Sequence, residues 1–68
     1  MDFTINNEKL TVNEAQLTLL GALALKGIHQ TKGIAVAVNQ QIVPRTLWEE
    51  QSIQPNDQIL IITATQGG

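Results

Sequence analysis

Residues 58–63 read Gln58-Ile59-Leu60-Ile61-Ile62-Thr63, and this stretch decides the fold. Successive side chains of an extended strand point to opposite faces. Ile59 and Ile61 therefore share one face, and Leu60 and Ile62 the other. Both faces are apolar, as in a strand at the centre of a sheet with strands on either side. Pro55-Asn56-Asp57, just upstream, is a turn signal.

Moving outward from that strand, two hairpins are legible. In residues 1–6, Phe3 and Ile5 alternate with Asp2, Thr4 and Asn6, the pattern of a half-buried strand. Asn6-Asn7 suits a tight turn because asparagine tolerates positive φ. Residues 9–12 make the return strand, with Leu10 and Val12 on one face. Ile34, Val36 and Val38 mark a second alternating strand over residues 34–39, with Ala35 and Ala37 opposite. Asn39-Gln40-Gln41 is the next turn and Ile42-Val43 the return strand. Pro44, which has no N–H to donate to a ladder, stops it. Residues 45–50 hold one helical turn containing Trp48.

Between the hairpins the period changes to that of a helix. Asn13 is a candidate N-cap, with Gln16 completing a capping box and Val12 and Leu17 forming a hydrophobic staple. Leu17, Leu20, Leu23 and Ala24 supply the apolar stripe. Gly21 costs roughly 1 kcal/mol of helix propensity and is expected to let the helix approach the sheet. Lys26 suits the negative helix end, Gly27 the position after the C-cap, and Ile28 a fold-back on Leu23. The order is strand, strand, helix, strand, strand, helical turn, strand. Two hairpins, one helix and a central last strand parallel to the first predict an α+β fold of the β-grasp type. Phe3, Ile5, Leu17, Leu20, Val36, Ile59 and Ile61 are the expected core. One helix covers only one sheet face, so Leu60 and Ile62 are expected to stay open as a partner-docking face.

The chain has 68 residues, 43% of them hydrophobic, and is expected to form a single domain over 1–68 with a flexible tail at 64–68. A chain of this size buries only about 60% of its unfolded surface, and it has no room for a deep active site. Four basic against six acidic residues, net charge −2, argue against a nucleic-acid partner. No basic start and apolar run mark a secretory signal, and no apolar run approaches the ~20 residues that span a bilayer. A cytoplasmic setting without a membrane partner is the expectation. The sequence contains no cysteine, so disulfides, cysteine zinc sites and thiol chemistry on a side chain are excluded.

Enzyme constellations are missing. His29 is the lone histidine, in a loop; Ser52 has no base near it in sequence; Glu49-Glu50 reads as a solvated pair. Gly21, Gly27 and Gly33 fit no phosphate-loop spacing, and no residues have metal-ligand spacing. Trp48 is expected to close the core. What remains is Gln66-Gly67-Gly68. With glycine near 7% of residues, a terminal pair arises by chance roughly once in two hundred chains. Glycine backbone can thread a narrow channel, and residues 64–68 fully extended reach about 17 Å. A terminal carboxylate carried there becomes an acyl donor once joined to AMP, and a sulfur or nitrogen nucleophile can then take the acyl group.

The residues resemble the ThiS family of ubiquitin-like β-grasp sulfur carriers. The resemblance rests on Ala37-Val38-Asn39-Gln40-Gln41-Ile42-Val43-Pro44-Arg45, on Trp48, on Asn56-Asp57-Gln58-Ile59 and on Gly67-Gly68. The helix fits loosely, and Asn56 stands where glycine is frequent. The resemblance implies a carrier protein that is a co-substrate of other enzymes and binds no cofactor of its own. It implies an acyl-adenylate and then a thiocarboxylate at Gly68, with Gln66 and Gly67 threading the tail. The implied partners are a ubiquitin-activating-like adenylating enzyme, thiazole synthase and, indirectly, a cysteine desulfurase. A carrier like the small subunit of molybdopterin synthase, a ubiquitin-like modifier of lysines and a non-covalent β-grasp interaction module stay open as alternatives.

Overall fold

The computed structural model describes residues 1–29 and 32–63. Strands β1 (Asp2–Ile5) and β2 (Glu8–Thr11) form the first hairpin, and β3 (Ile34–Val38) and β4 (Gln41–Ile42) the second. Helix α1 (Leu19–Leu25) lies between them in sequence, a 3-10 turn covers Arg45–Leu47, and β5 (Gln58–Thr63) closes the fold. The sheet order is β2-β1-β5-β3-β4. The last strand is central, parallel to β1 and antiparallel to β3, as its two apolar faces predict.

Both hairpin turns have two residues with positive φ: Asn6 and Asn7 at 52° and 68°, Asn39 and Gln40 at 51° and 72°. Paired positive φ values define the type I′ geometry, whose twist matches that of the flanking strands. The second turn is one residue shorter than expected. Gln41 therefore belongs to β4, and Val43 lies beyond it, its N–H still donating to the Val36 carbonyl at 2.9 Å.

The helix starts later than its sequence suggests. Thr18, not Asn13, is the N-cap; its Oγ1 accepts from the Gly21 N–H at 3.1 Å. Residues ahead of it belong to a tertiary connection: Thr18 bridges Ser52, and Ile53 N–H donates to the Leu17 carbonyl at 2.8 Å. Leu19 and Leu20 N–H groups donate to the carbonyls of Gln51 and Trp48. The segment around the buried Trp48 and Ile53 thus satisfies donors that a helix start leaves open. The later start also changes the helix face. Leu19, Ala22 and Leu23 are buried, Leu17 is half-buried, and Leu20, expected in the core, is 37% exposed. A Cβ built on Gly21 would meet Leu17 and Thr18, so the glycine accommodates the cap and not the sheet.

The helix end follows the sequence reading. Gly27 has φ +80°, and Ile28 N–H reaches the Leu23 carbonyl at 2.9 Å while Gly27 N–H reaches that of Ala24, a Schellman motif. Phe3, Ile5, Val36, Val38, Ile59, Leu19, Leu23, Trp48 and Ile53 form the core, with Ile28, Ile34 and Ile61 packed on its margin. Trp48 closes it, its indole N–H donating to the Val43 carbonyl at 2.8 Å. Lys26 pairs with Glu8 across from the helix end. No helix among the described residues is long and apolar enough to cross a membrane.

Candidate docking face and the strand leading to the tail

The helix leaves one sheet face open, and register fixes what that face presents. Leu60 sits beside Ala37, Ala37 beside Ile42 and Ile62 beside Ala35. These residues share one face because cross-strand partners do. Ile42, Leu60 and Ile62 are 62%, 49% and 44% exposed. Ala37, flanked by two of them, is buried, so its small side chain forms the floor of an apolar strip. Leu60 and Ile62 are where the sequence places them. Ile42 was missed, although it lies in the return strand whose partner, Ala37, already had its face assigned.

Toward β1 and β2 the open face becomes polar. Thr4 lies beside Gln58, Lys9 Nζ is 3.3 Å from Asp2 Oδ2, and the Thr11 hydroxyl donates to Asp2 Oδ1 at 2.8 Å. The hydrogen bond from Thr11, with that from Lys9, holds the Asp2 carboxyl below its ordinary range. The face is thus an apolar half with a charged border.

Two asparagines anchor the central strand from its two sides. Asn6 N–H donates to the Ile59 carbonyl at 2.9 Å, and its Oδ1 accepts from Ile61 N–H at 2.8 Å. Asn39 N–H donates to the Gln58 carbonyl at 2.8 Å, and its Oδ1 accepts from Gln58 N–H at 2.9 Å. At each site the chain enters a turn and the side-chain amide oxygen takes the place of the departing main-chain carbonyl. Asn39 Nδ2 also donates to the buried Asp57 carboxylate, whose other oxygen accepts from Gln54 N–H. Sequence reasoning assigned Asn6, Asn39 and Asp57 no structural role beyond forming turns. The second role was visible in part, since asparagine is the residue that combines tolerance of positive φ with an amide acceptor.

Among the described residues no group of His, Cys, Asp and Glu is placed to hold a metal ion. His29, Ser52, Glu49 and Glu50 are exposed, as their sequence context suggests. β5 runs directly into residues 64–68. The expected flexible tail, with Gln66, Gly67 and Gly68, lies outside the described residues.

One helix packed across a mixed five-stranded sheet with a parallel β1–β5 pair at its centre defines a ubiquitin-like β-grasp protein. Within that class, the ThiS family model matches residues 2–68, and the chain belongs to the ThiS family. It is 50% identical over 36 residues to the sulfur carrier protein ThiS of Escherichia coli (strain K12), a stretch covering 53% of this chain and 54% of that protein. The match thus spans about half the length of that curated relative. The crystal structure of the thiamine biosynthesis protein ThiS of Geobacter metallireducens superposes with a TM-score of 0.84 at 22% identity, covering 100% of both chains. A solution structure of a thiamine biosynthesis protein from the same organism gives a TM-score of 0.76 at 22% identity, covering 100% of this chain and 88% of that one. At this identity the two structures establish the fold.

Proposed function

We propose that the chain is a sulfur carrier of thiamine biosynthesis, a co-substrate that other enzymes load and unload. The observation that carries this reading is the family match, which runs through Gly67 and Gly68. The likeness to the Escherichia coli sulfur carrier supports it, and so does an open apolar strip on the strand that leads to those glycines.

In this reading the Gly68 carboxylate attacks the α-phosphorus of ATP on a ubiquitin-activating-like adenylating enzyme, and pyrophosphate leaves. The terminal sulfur of a persulfide, supplied through a cysteine desulfurase, attacks the acyl carbon, and AMP leaves. A thiol then cleaves the S–S bond and becomes part of a disulfide, while Gly68 keeps the sulfur as a thiocarboxylate. Thiazole synthase accepts that sulfur. Gly67 and Gln66 thread the tail into the partner, and Leu60, Ile62 and Ile42 dock the body outside. The cytoplasm, where thiols stay reduced, is the setting this chemistry needs.

The test is intact mass after incubation with the adenylating enzyme, ATP, cysteine and a desulfurase. A gain equal to the exchange of one oxygen for sulfur is the expected result. Conjugates to lysine point instead to a modifier. An unchanged mass with an active adenylating enzyme leaves a non-covalent interaction module.

A further inference from the structure

Beyond Ile59, β5 outruns its neighbour. The β1–β5 register covers Gln58 and Ile59, so Leu60, Ile61, Ile62 and Thr63 extend past the end of β1. On the other side β3 accompanies them, with Ile34 beside Thr63 and Ala35 beside Ile62. β4 pairs only with Ala37 and Val38. At Ile62 and Thr63 the sheet is therefore a two-stranded ribbon of β3 and β5, an arrangement that by itself is marginally stable in water. It carries Ile62 of the apolar strip and is the last described support before residues 64–68.

Among the described residues one hydrogen bond ties the base of this ribbon back to the first hairpin. In a regular parallel ladder the carbonyl of residue 6 would accept from the N–H of residue 61. At φ 52° the Asn6 backbone turns into the hairpin, and its side-chain Oδ1 receives the Ile61 N–H at 2.8 Å instead. Resting on the carrier reading above, we infer that Asn6 is a positioning residue: its amide oxygen fixes the line along which β5 leaves the sheet, and so the aim of the tail at the reacting nucleotide. Asn6 touches no reacting atom, and it is exposed, so the bond contributes more to direction than to stability. Direction matters at the far end, because an error of ~1 Å at a reacting atom costs on the order of 100-fold in rate.

Two variants separate geometry from bulk stability. Asn6→Gly keeps the positive-φ turn and removes the acceptor. Asn6→Asp keeps an acceptor oxygen in the same place, while the amide nitrogen becomes a second carboxylate oxygen and a negative charge is added. The measurements are ATP–pyrophosphate exchange with the adenylating enzyme and amide hydrogen exchange at Ile61. Asn6→Gly is expected to speed exchange of the Ile61 amide and lower kcat by about ten-fold, with KM within about three-fold, a drop equivalent to ~1.4 kcal/mol of barrier. Asn6→Asp is expected to retain kcat within about three-fold of the parent. An unchanged kcat in Asn6→Gly, an effect confined to KM, or an Asn6→Asp protein as slow as Asn6→Gly overturns the inference. Should Asn6→Gly fail to fold, Asn6→Asp alone decides, a ten-fold loss in it being the overturning result. A parent protein that supports no exchange removes the carrier reading and this inference with it, whereas an active parent with unaffected variants removes the inference alone.

Discussion

Asn39 and Asp57, eighteen positions apart, meet through a hydrogen bond of 2.9 Å from Asn39 Nδ2 to Asp57 Oδ1. The pair joins the second hairpin turn to the turn that launches β5. Asp57 is buried, and its second oxygen accepts from Gln54 N–H at 2.7 Å, so both turns are held by one carboxylate. The main-chain carbonyl of Asp57 also accepts from Thr4 N–H, which brings β1 into the same arrangement.

Substitutions in this turn should act in opposite directions at adjacent positions. Asn39→Gly retains the positive φ but removes the acceptor for Gln58 N–H and a donor to Asp57. At about 0.5–1.5 kcal/mol per bond, a loss of ~1–3 kcal/mol is expected. Gln40, a residue without asparagine's ease at positive φ, sits at 72°. Gln40→Gly relieves that conformation and should stabilise by ~1 kcal/mol. Urea denaturation of both variants checks the signs.

The start of the helix provides a second contrast. Thr18→Ala removes the cap and should cost ~1 kcal/mol. Asn13→Ala, at an exposed position outside the helix, should stay within about 0.5 kcal/mol of the parent. Melting temperatures resolve the two, since 1 kcal/mol corresponds to about 4–8 °C in a domain of this size.

Leu60→Asp tests the apolar strip. The site is 49% exposed, so the fold and melting temperature should be retained. A charge brought into an apolar contact should weaken binding of the adenylating enzyme by about ten-fold or more, equivalent to ~1.4 kcal/mol. Calorimetric titration measures it, and an unchanged affinity would rule the face out.

Deleting Gly68 should abolish sulfur loading without lowering the melting temperature. The shortened chain keeps a carboxylate on Gly67 but presents it about 3.5 Å short of the nucleotide. Gly67→Val should have a similar effect by placing a branched side chain in the partner's channel. In ATP–pyrophosphate exchange, a normal rate from either variant would contradict the proposed role of the tail.

The sequence by itself determined the sheet. Ile59-Leu60-Ile61-Ile62 reads as a central strand, and asparagines at the two turns paired the hairpins around it. Those signals are local: alternation at period two, positive φ at a turn, a glycine after a helix. The open face was legible for the same reason, because alternation assigns Leu60 and Ile62 to the side opposite Ile59. Tertiary structure decided where the helix begins. Asn13 and Thr18 are both chemically able to cap, and the choice fell to the hydrogen bonds that Trp48, Gln51 and Ile53 make with residues 17–20 from 28 to 36 positions away. That choice moved Leu20 outward and Leu19 and Ala22 inward, since each step along a helix turns the side chain by about 100°. The second duty of Asn6 and Asn39 was likewise settled only by folding. A side-chain amide can replace a main-chain carbonyl only once the neighbouring strand lies within hydrogen-bond reach, and no local pattern records that distance.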